Sequence, residues 1–164
     1  SLKMIKNMSN IQLFKKISEA AIAVAASDGL HYDEIDSIRK ILLNVTRITD
    51  DLKSQYDSYG IDHNNIDFSE FAVAYESILN TDIKSFELIE INDEYCKDLA
   101  NLLNEGPVLH NLCVGMALAG LNADGNVSDS ETEAFQLLCS YLNQADEAVV
   151  GNICNLLLNN DIIL

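Results

Sequence analysis

The sequence predicts an all-α fold, organised as a duplicated multi-helix domain with two pseudo-symmetric halves. Apolar residues recur at steps of three and four along most of the chain, which is the spacing of amphipathic helices. One Pro and seven Gly in 164 residues are few for an architecture of strands and turns. A helix of small residues that runs into Asp-Gly occurs twice, at Asp28 and at Asp124, with an offset of 96 residues. The shared offset indicates an internal duplication.

Three helices are predicted at the start of the chain. The first covers residues 11–27 and ends at Asp28-Gly29, where Gly has its usual role after a helix. The second covers residues 33–47, with Asp33 as its N-cap and a stripe of apolar residues along one face. The third is expected over residues 49–59, capped by Thr49.

The middle of the chain is predicted less sharply. Residues 60–65 are expected to form a loop, and a helix opened by Asp67 or Ser69 runs to residue 80. Residues 86–91 fit either a short strand or a helical turn, and the helical turn is favoured. Residues 93–104 are predicted to be helical. Gly106 then stops that helix and Pro107 opens the next one.

The second half repeats the plan of the first, with helices expected over residues 107–123, 129–143 and 146–159. Two rows of small residues at steps of three lie on the first helix of each half: Ala20, Ala23 and Ala26, and Ala117, Gly120 and Ala123. Small side chains let two helix backbones approach closely. We therefore expect these two helices to pack and cross at the centre of the fold, related by a pseudo-twofold axis.

Length and spacing also set the expected domain organisation. A chain of this size buries about 70% of its unfolded surface and can form its own core. Residues 1–10 are expected to be a flexible N-terminal segment outside the fold, with the residues ahead of Met4 as additions to the natural chain. Residues 11–160 are expected to form a single helical domain with halves 11–105 and 106–160.

The charge of the chain restricts its partners. The net charge is −16, and all ten Lys and Arg residues lie at or before Lys97. Phosphate contacts require Lys and Arg, so binding to nucleic acid is excluded and association with an anionic membrane is disfavoured. The remaining candidates are a divalent cation and a protein partner with a basic face.

Cysteine usage and the N-terminus predict a cytoplasmic location. Cys96, Cys113, Cys139 and Cys154 form no C-x-x-C pair and are expected to be reduced thiols, mostly buried. No secretory signal is visible. Residues 107–123 carry no Asp, Glu, Lys or Arg, but they are about one turn short of a bilayer span and predict a buried central helix.

Carboxylates cluster in the two Asp-Gly turns and the helix starts that follow them. Carboxylate oxygens are the ligands that Ca²⁺ and Mg²⁺ prefer. If the two turns converge, one cation could be held by ligands from both halves. The predicted metal ligands are Asp28, Asp33 and Asp36 in the first half and Asp124, Asp129 and Glu131 in the second.

A capping interaction explains the second turn without any ligand. Ser128 and Glu131 have the spacing of a capping box, in which each side chain accepts from the other residue's amide. An EF-hand is a poorer explanation, because Gly120 and Tyr59 stand where the two candidate calcium loops need a leading Asp. His31 and His63 are interpreted as loop residues and His110 as a core histidine. No nucleophile, zinc-protease or phosphate-loop motif occurs.

The second turn resembles a known family. Residues 123–131 read Ala-Asp-Gly-Asn-Val-Ser-Asp-Ser-Glu between a small-residue helix and an amphipathic helix, which is similar to the TerB-like family of tellurite-resistance proteins. The first copy departs from this pattern, with Tyr32 in place of Ser128 and Ile35 in place of Glu131. The resemblance covers roughly residues 10–50 and 107–160. It implies an all-helical domain whose acidic residues are proposed to bind metal, without an established reaction.

These observations predict a non-enzymatic, cytoplasmic stress-response module that binds a divalent cation, Ca²⁺ or Mg²⁺, or a protein partner through its acidic surface. The alternative is an acidic interaction or scaffold domain that binds no metal and uses its Asp-Gly turns only as caps. A metal-dependent hydrolase is a third class. Carboxylates converging in a cleft around two metals would favour the hydrolase, and carboxylates spread over the surface would favour the scaffold.

Overall fold

The computed structural model describes residues 9–123 and 125–159. Within these ranges the chain forms α-helices and two short 3₁₀ turns without any β-strand, so the all-α prediction is confirmed. The helices are α1 (Asn10–Ala25), α2 (Tyr32–Arg47), α3 (Thr49–Ser58), α4 (Phe71–Leu79), α5 (Asp93–Leu102), α6 (Pro107–Asn122), α7 (Asp129–Tyr141) and α8 (Glu147–Asn159). The 3₁₀ turns are Phe68–Glu70 and Ile83–Leu88.

Local capping explains where several helices begin. Ser9 and Gln12 form a capping box at the start of α1, a position within the N-terminal segment expected to be flexible; residues 1–8 of that segment lie outside the described residues. The predicted N-cap of α2 is wrong by two residues. His31 is the N-cap, with extended backbone and no side-chain capping bond, and Asp33 lies in the first turn. There its charge is favourable beside the free amides of the helix start.

Residues 83–92 combine both conformations that the sequence left open. A 3₁₀ turn covers Ile83–Leu88 and is capped by Asp82, whose carboxylate accepts the Lys84 amide at 3.1 Å. Ile89 has extended backbone, and so does Asn92, the N-cap of α5. The favoured helical turn is therefore correct only as far as Leu88. Ile83 and Phe86 are buried and anchor the turn to the core.

Helix α6 is the centre of the molecule, and it makes its most extensive contacts with α1 and α8. Twelve of its sixteen residues are buried. The expected packing of α1 against α6 is confirmed. Ala23 and Ala119 are fully buried, and a Cβ added at Gly120 would lie 3.7 Å from the Cβ of Ala25. No helix within the described ranges is long and apolar enough to cross a membrane.

The contact between α6 and α8 was not predicted from the sequence. Gly115 lies outside the row of small residues that faces α1, and it packs against Ile153 of α8. A Cβ added at Gly115 would lie 2.6 Å from Ile153 Cγ2, closer than real contacts allow. Gly115 therefore sets how closely the last helix approaches α6.

Two buried polar side chains tie the start of α6 to its neighbours. His110 Nε2 lies 2.7 Å from the Leu103 carbonyl oxygen, and the Gln144 amide donates to His110 Nδ1 at 3.3 Å. The next residue, Asn111, accepts the Asp146 amide at 2.8 Å. The interpretation of His110 as a satisfied core histidine is confirmed. These bonds fix the end of α5 and the loop between α7 and α8.

The four cysteines are free thiols, and Cys96, Cys113 and Cys154 are buried. Burial raises the pKa of the Cys96 thiol to about 11 and also raises the pKa of Cys113. A thiol with a raised pKa is protonated at neutral pH and is a weak nucleophile. The prediction of buried, reduced cysteines is confirmed for these three, and Cys139 is half-buried.

Candidate functional site

The two Asp-Gly turns each contain a glycine with positive φ. Helix α1 ends at Ala25 and α6 ends at Asn122, and each is followed within a few residues by a glycine with positive φ. The φ angle is 94° at Gly29 and 77° at Gly125. Other residues rarely adopt this conformation, so glycine lets the chain reverse after each helix. Asp28 precedes the first of these glycines and is exposed.

The structure brings Asp28 of the first turn to Glu131 of the second. Helix α1 contacts α7, and the Asp28 carboxylate that follows α1 lies near enough to Glu131 to help raise the pKa of that carboxyl group. Asp28 is exposed, whereas Glu131 is only 4% exposed. The two halves therefore contribute one carboxyl group each to a common pair.

Glu131 also forms the predicted capping box with Ser128. The Ser128 amide donates to Glu131 Oε1 at 3.0 Å, and the Glu131 amide donates to Ser128 Oγ at 3.1 Å. This part of the prediction is confirmed. The cap uses one carboxylate oxygen of Glu131, and it does not account for the approach of Asp28 from the other half of the molecule.

The surroundings of Glu131 oppose its negative charge. Burial is the main cause that raises the pKa of Glu131 above its ordinary value, and the charge of Asp28 acts in the same direction. The hydrogen bonds from Ser128 partly oppose this change. A cation placed between the two carboxylates would relieve both the lost solvation and the repulsion.

The other predicted ligands do not join this pair. Asp33 and Asp36 lie exposed on the first turns of α2, and Asp36 is 3.7 Å from Arg39. Asp129 is exposed at the first position of α7. The predicted ligand Asp124 lies outside the described residues. Among the residues that are described, no group of three or more His, Cys, Asp and Glu side chains could hold a metal ion.

The sequence analysis did not select Glu87, which supports the first acidic turn. Its Oε1 atom accepts the Leu30 amide at 2.6 Å, directly after Gly29. The carboxylate thus fixes the exit of the turn from a position 57 residues along the chain. No spacing or motif in the sequence relates Glu87 to this turn, so only the three-dimensional packing identifies the contact.

The acidic side chains in the described ranges form few ion pairs. Ion pairs between described residues are local: Lys16 with Glu19, Arg39 with Asp36, and His63 with Asp57. Each joins residues three or six positions apart. In the described part of the second half, carboxylates are not neutralised by Lys or Arg of the first half. The exposed ones, such as Asp129 and Glu133, remain available to solvent, cations or a basic partner.

Comparison of the chain with protein-family models, curated proteins and solved structures finds no match.

Proposed function

We propose that this chain is a non-enzymatic, TerB-like module that binds a hard divalent cation where its two acidic turns meet. The observation that carries the proposal is the pair formed by Asp28 and Glu131, one carboxyl group from each turn. Magnesium is commonly held by one or two carboxylates and keeps several waters, so two ligands suffice for a weak site. Asp124, Asp129, Asp33 and Asp36 are proposed to add negative charge around it.

The duplicated plan supports a site shared between halves. The order of a sixteen-residue helix, an Asp-Gly turn and a second helix occurs at α1 and α2 and again at α6 and α7. We propose that these halves are related by a pseudo-twofold axis and that the module acts in a cytoplasmic stress response, as the TerB-like resemblance implies. In this view the chain senses or buffers a cation and catalyses no reaction.

The test is thermal unfolding with and without millimolar Ca²⁺ or Mg²⁺ at matched ionic strength. Binding to the folded state alone raises the free energy of unfolding by RT ln(1 + [L]/Kd). Asp28→Asn and Glu131→Gln are each expected to remove this increment. Glu131→Gln should also stabilise the metal-free protein at pH 7, because it removes a negative charge that burial and the Asp28 carboxylate both disfavour.

The sign of that effect follows from the raised pKa of Glu131. The folded state favours the protonated carboxyl, so its stabilisation is complete below the unfolded pKa near 4.3 and is lost as pH rises through the folded pKa. Gln cannot ionise and still presents an oxygen to the Ser128 amide. It therefore keeps the cap without the buried charge.

Two variants separate a metal ligand from a helix cap. Ser128→Ala removes the cap oxygen and should cost about 0.5–2 kcal/mol while retaining the divalent increment. Glu94→Gln, an exposed change in the first turn of α5, should leave the increment intact. An increment that survives both Asp28→Asn and Glu131→Gln would exclude this pair as the cation site.

A second candidate function is an acidic interaction domain that binds a basic protein segment. The ion pairs between described residues favour it, because they are local and leave exposed carboxylates such as Asp33, Asp129 and Glu133 without a cationic partner in the described part of the chain. The absence of a divalent increment in the wild-type protein would leave this candidate as the better explanation of the acidic surface.

A further inference from the structure

An open groove runs between α7 and the extended segment before α5. Residues 87–91 form one wall, and Glu133 and Leu137 of α7 lie on the other. The groove encloses about 840 Å³ of empty space, part of which is open to solvent. Ser27 and Ser130 also line it, so the groove adjoins the pair of Asp28 and Glu131 but is formed by different side chains.

The groove exposes apolar surface. Leu88 is 87% exposed, more than any other large hydrophobic residue in the described ranges. Single exposed leucines are common on protein surfaces. Here Leu88 adjoins Ile89, Ile91 and Leu137, which are only half-buried and pack on the core from one side. These four side chains all line the groove, and together they are called the apolar strip that a partner could cover.

The backbone of the same wall has free hydrogen-bonding groups. Ile89 is extended, with φ −81° and ψ 118°, and its amide donates to the Phe86 carbonyl at 3.1 Å. The peptide groups of Glu90 and Ile91 make no hydrogen bond to other described residues. Free N–H and C=O groups that follow an extended residue can pair with the backbone of an added segment.

The charges around the strip are of one sign. Glu87, Glu90 and Glu133 line the groove, and none of its described lining residues is Lys or Arg. The Lys84 ammonium group lies 5.7 Å from the centroid of the Tyr32 ring and is not part of the lining. A segment with Lys or Arg beside apolar side chains would complement both the charge and the apolar strip.

We propose that this groove binds an extended, basic and apolar segment of a partner protein by strand addition. The segment pairs its backbone with the free peptide groups of Glu90 and Ile91, covers Leu88 and Leu137 with apolar side chains, and places Lys or Arg beside Glu90 and Glu133. This inference rests on the second candidate function, the interaction domain, and does not require the cation.

The probe is a fluorescein-labelled peptide of alternating lysine and valine, titrated with the full chain in 150 mM NaCl and followed by fluorescence anisotropy. Saturable binding is expected. Leu88→Ser should weaken it about fivefold to tenfold, because it removes most of one leucine's contact. The double variant Glu90→Gln with Glu133→Gln should weaken binding about threefold to tenfold.

Controls separate docking from general attraction to an acidic protein. The double variant Asp50→Asn with Glu94→Gln removes two exposed charges outside the groove and should change affinity less than about twofold. A peptide N-methylated at alternate amides keeps its charges but cannot pair as a strand, and it should bind at least about tenfold more weakly.

Three results would overturn the proposal. Equal weakening by the groove and control double variants would indicate diffuse attraction, and equal binding of the N-methylated peptide would exclude strand addition. A dimer that Leu88→Ser converts to monomer would identify a second copy as the occupant. Calcium should stabilise Leu88→Ser against thermal unfolding as much as it stabilises the wild type. This comparison shows whether a negative result concerns the groove or the cation site.

Discussion

His110 is a buried histidine with both ring nitrogens engaged. Its Nε2 lies 2.7 Å from the Leu103 carbonyl oxygen, and its Nδ1 faces the Gln144 amide, which donates to it. Protonation of Nδ1 would place a second ring proton against the Gln144 N–H group and break this hydrogen bond. Burial lowers the pKa of His110 below its ordinary value, although the bond to the Leu103 carbonyl acts in the opposite direction.

The lowered pKa predicts a loss of stability in mild acid. The folded state favours neutral His110, so its contribution is complete above the unfolded pKa near 6.5 and is lost as pH falls through the folded pKa. Denaturant unfolding of His110→Gln should therefore show a weaker pH dependence between about pH 5 and 7 than the wild type. His31→Asn changes an exposed histidine and serves as the matched control. Identical pH dependence in His110→Gln would contradict this role.

Individual residues show how far local patterns predict a structure. The capping box of Ser128 and Glu131 follows from spacing alone, because its bonds join residues three apart. The contact between Asp28 and Glu131 depends on how α1 and α7 pack, so the sequence suggested only that the turns converge. The bond from the Leu30 amide to Glu87 was not predictable, since no local pattern relates these two positions.

At the scale of elements, two helical glycines have opposite surroundings. Gly115 of α6 packs directly on Ile153, whereas a Cβ added at Gly151 of α8 would meet nothing within 4 Å. Gly115→Ala should lower the free energy of unfolding by about 1–3 kcal/mol through overpacking. Gly151→Ala should raise it by about 0.5–1 kcal/mol through helix propensity. Denaturant unfolding of both variants measures the difference in the free energy of unfolding. If Gly115→Ala stabilised the protein, α8 would be able to move away from α6 at little cost.

The elements themselves were largely predictable, because amphipathic stripes and Gly or Pro boundaries are local signals. Most helix ends lie within about two residues of expectation. Residues 89–92 were harder, since Ile89 and Ile91 are held against the core by tertiary contacts rather than by local preference. The α6–α8 contact was missed because every face of α6 is apolar, so periodicity could not assign its partners.

At the scale of the molecule, the net charge is −16, and the described residues form few ion pairs. Mutual repulsion of the carboxylates should destabilise the compact state at low ionic strength. Raising NaCl from about 10 to 150 mM shortens the Debye length from about 30 to 8 Å. The melting temperature should rise by roughly 2–4 °C for each 1 kcal/mol gained.

Choline chloride serves as the control for this salt effect, because screening depends on ionic strength and not on the monovalent cation. Equal shifts in the two salts are expected. A melting temperature that stays flat or falls would mean that the carboxylates are already neutralised within the fold. The overall charge was evident from composition and the all-α class from the spacing of apolar residues, whereas the placement of the charges around one groove was not.

The central position of α6 also has a consequence during protein synthesis. Its apolar faces are covered from two directions, by α1, which is made earlier, and by α8, which is made last. As the chain emerges from the ribosome, α1 can shield one side of α6 at once. The side around Gly115 stays open until Ile153 follows, which takes several seconds at ordinary elongation rates. During that interval the nascent chain exposes an apolar face of α6 that the finished fold buries.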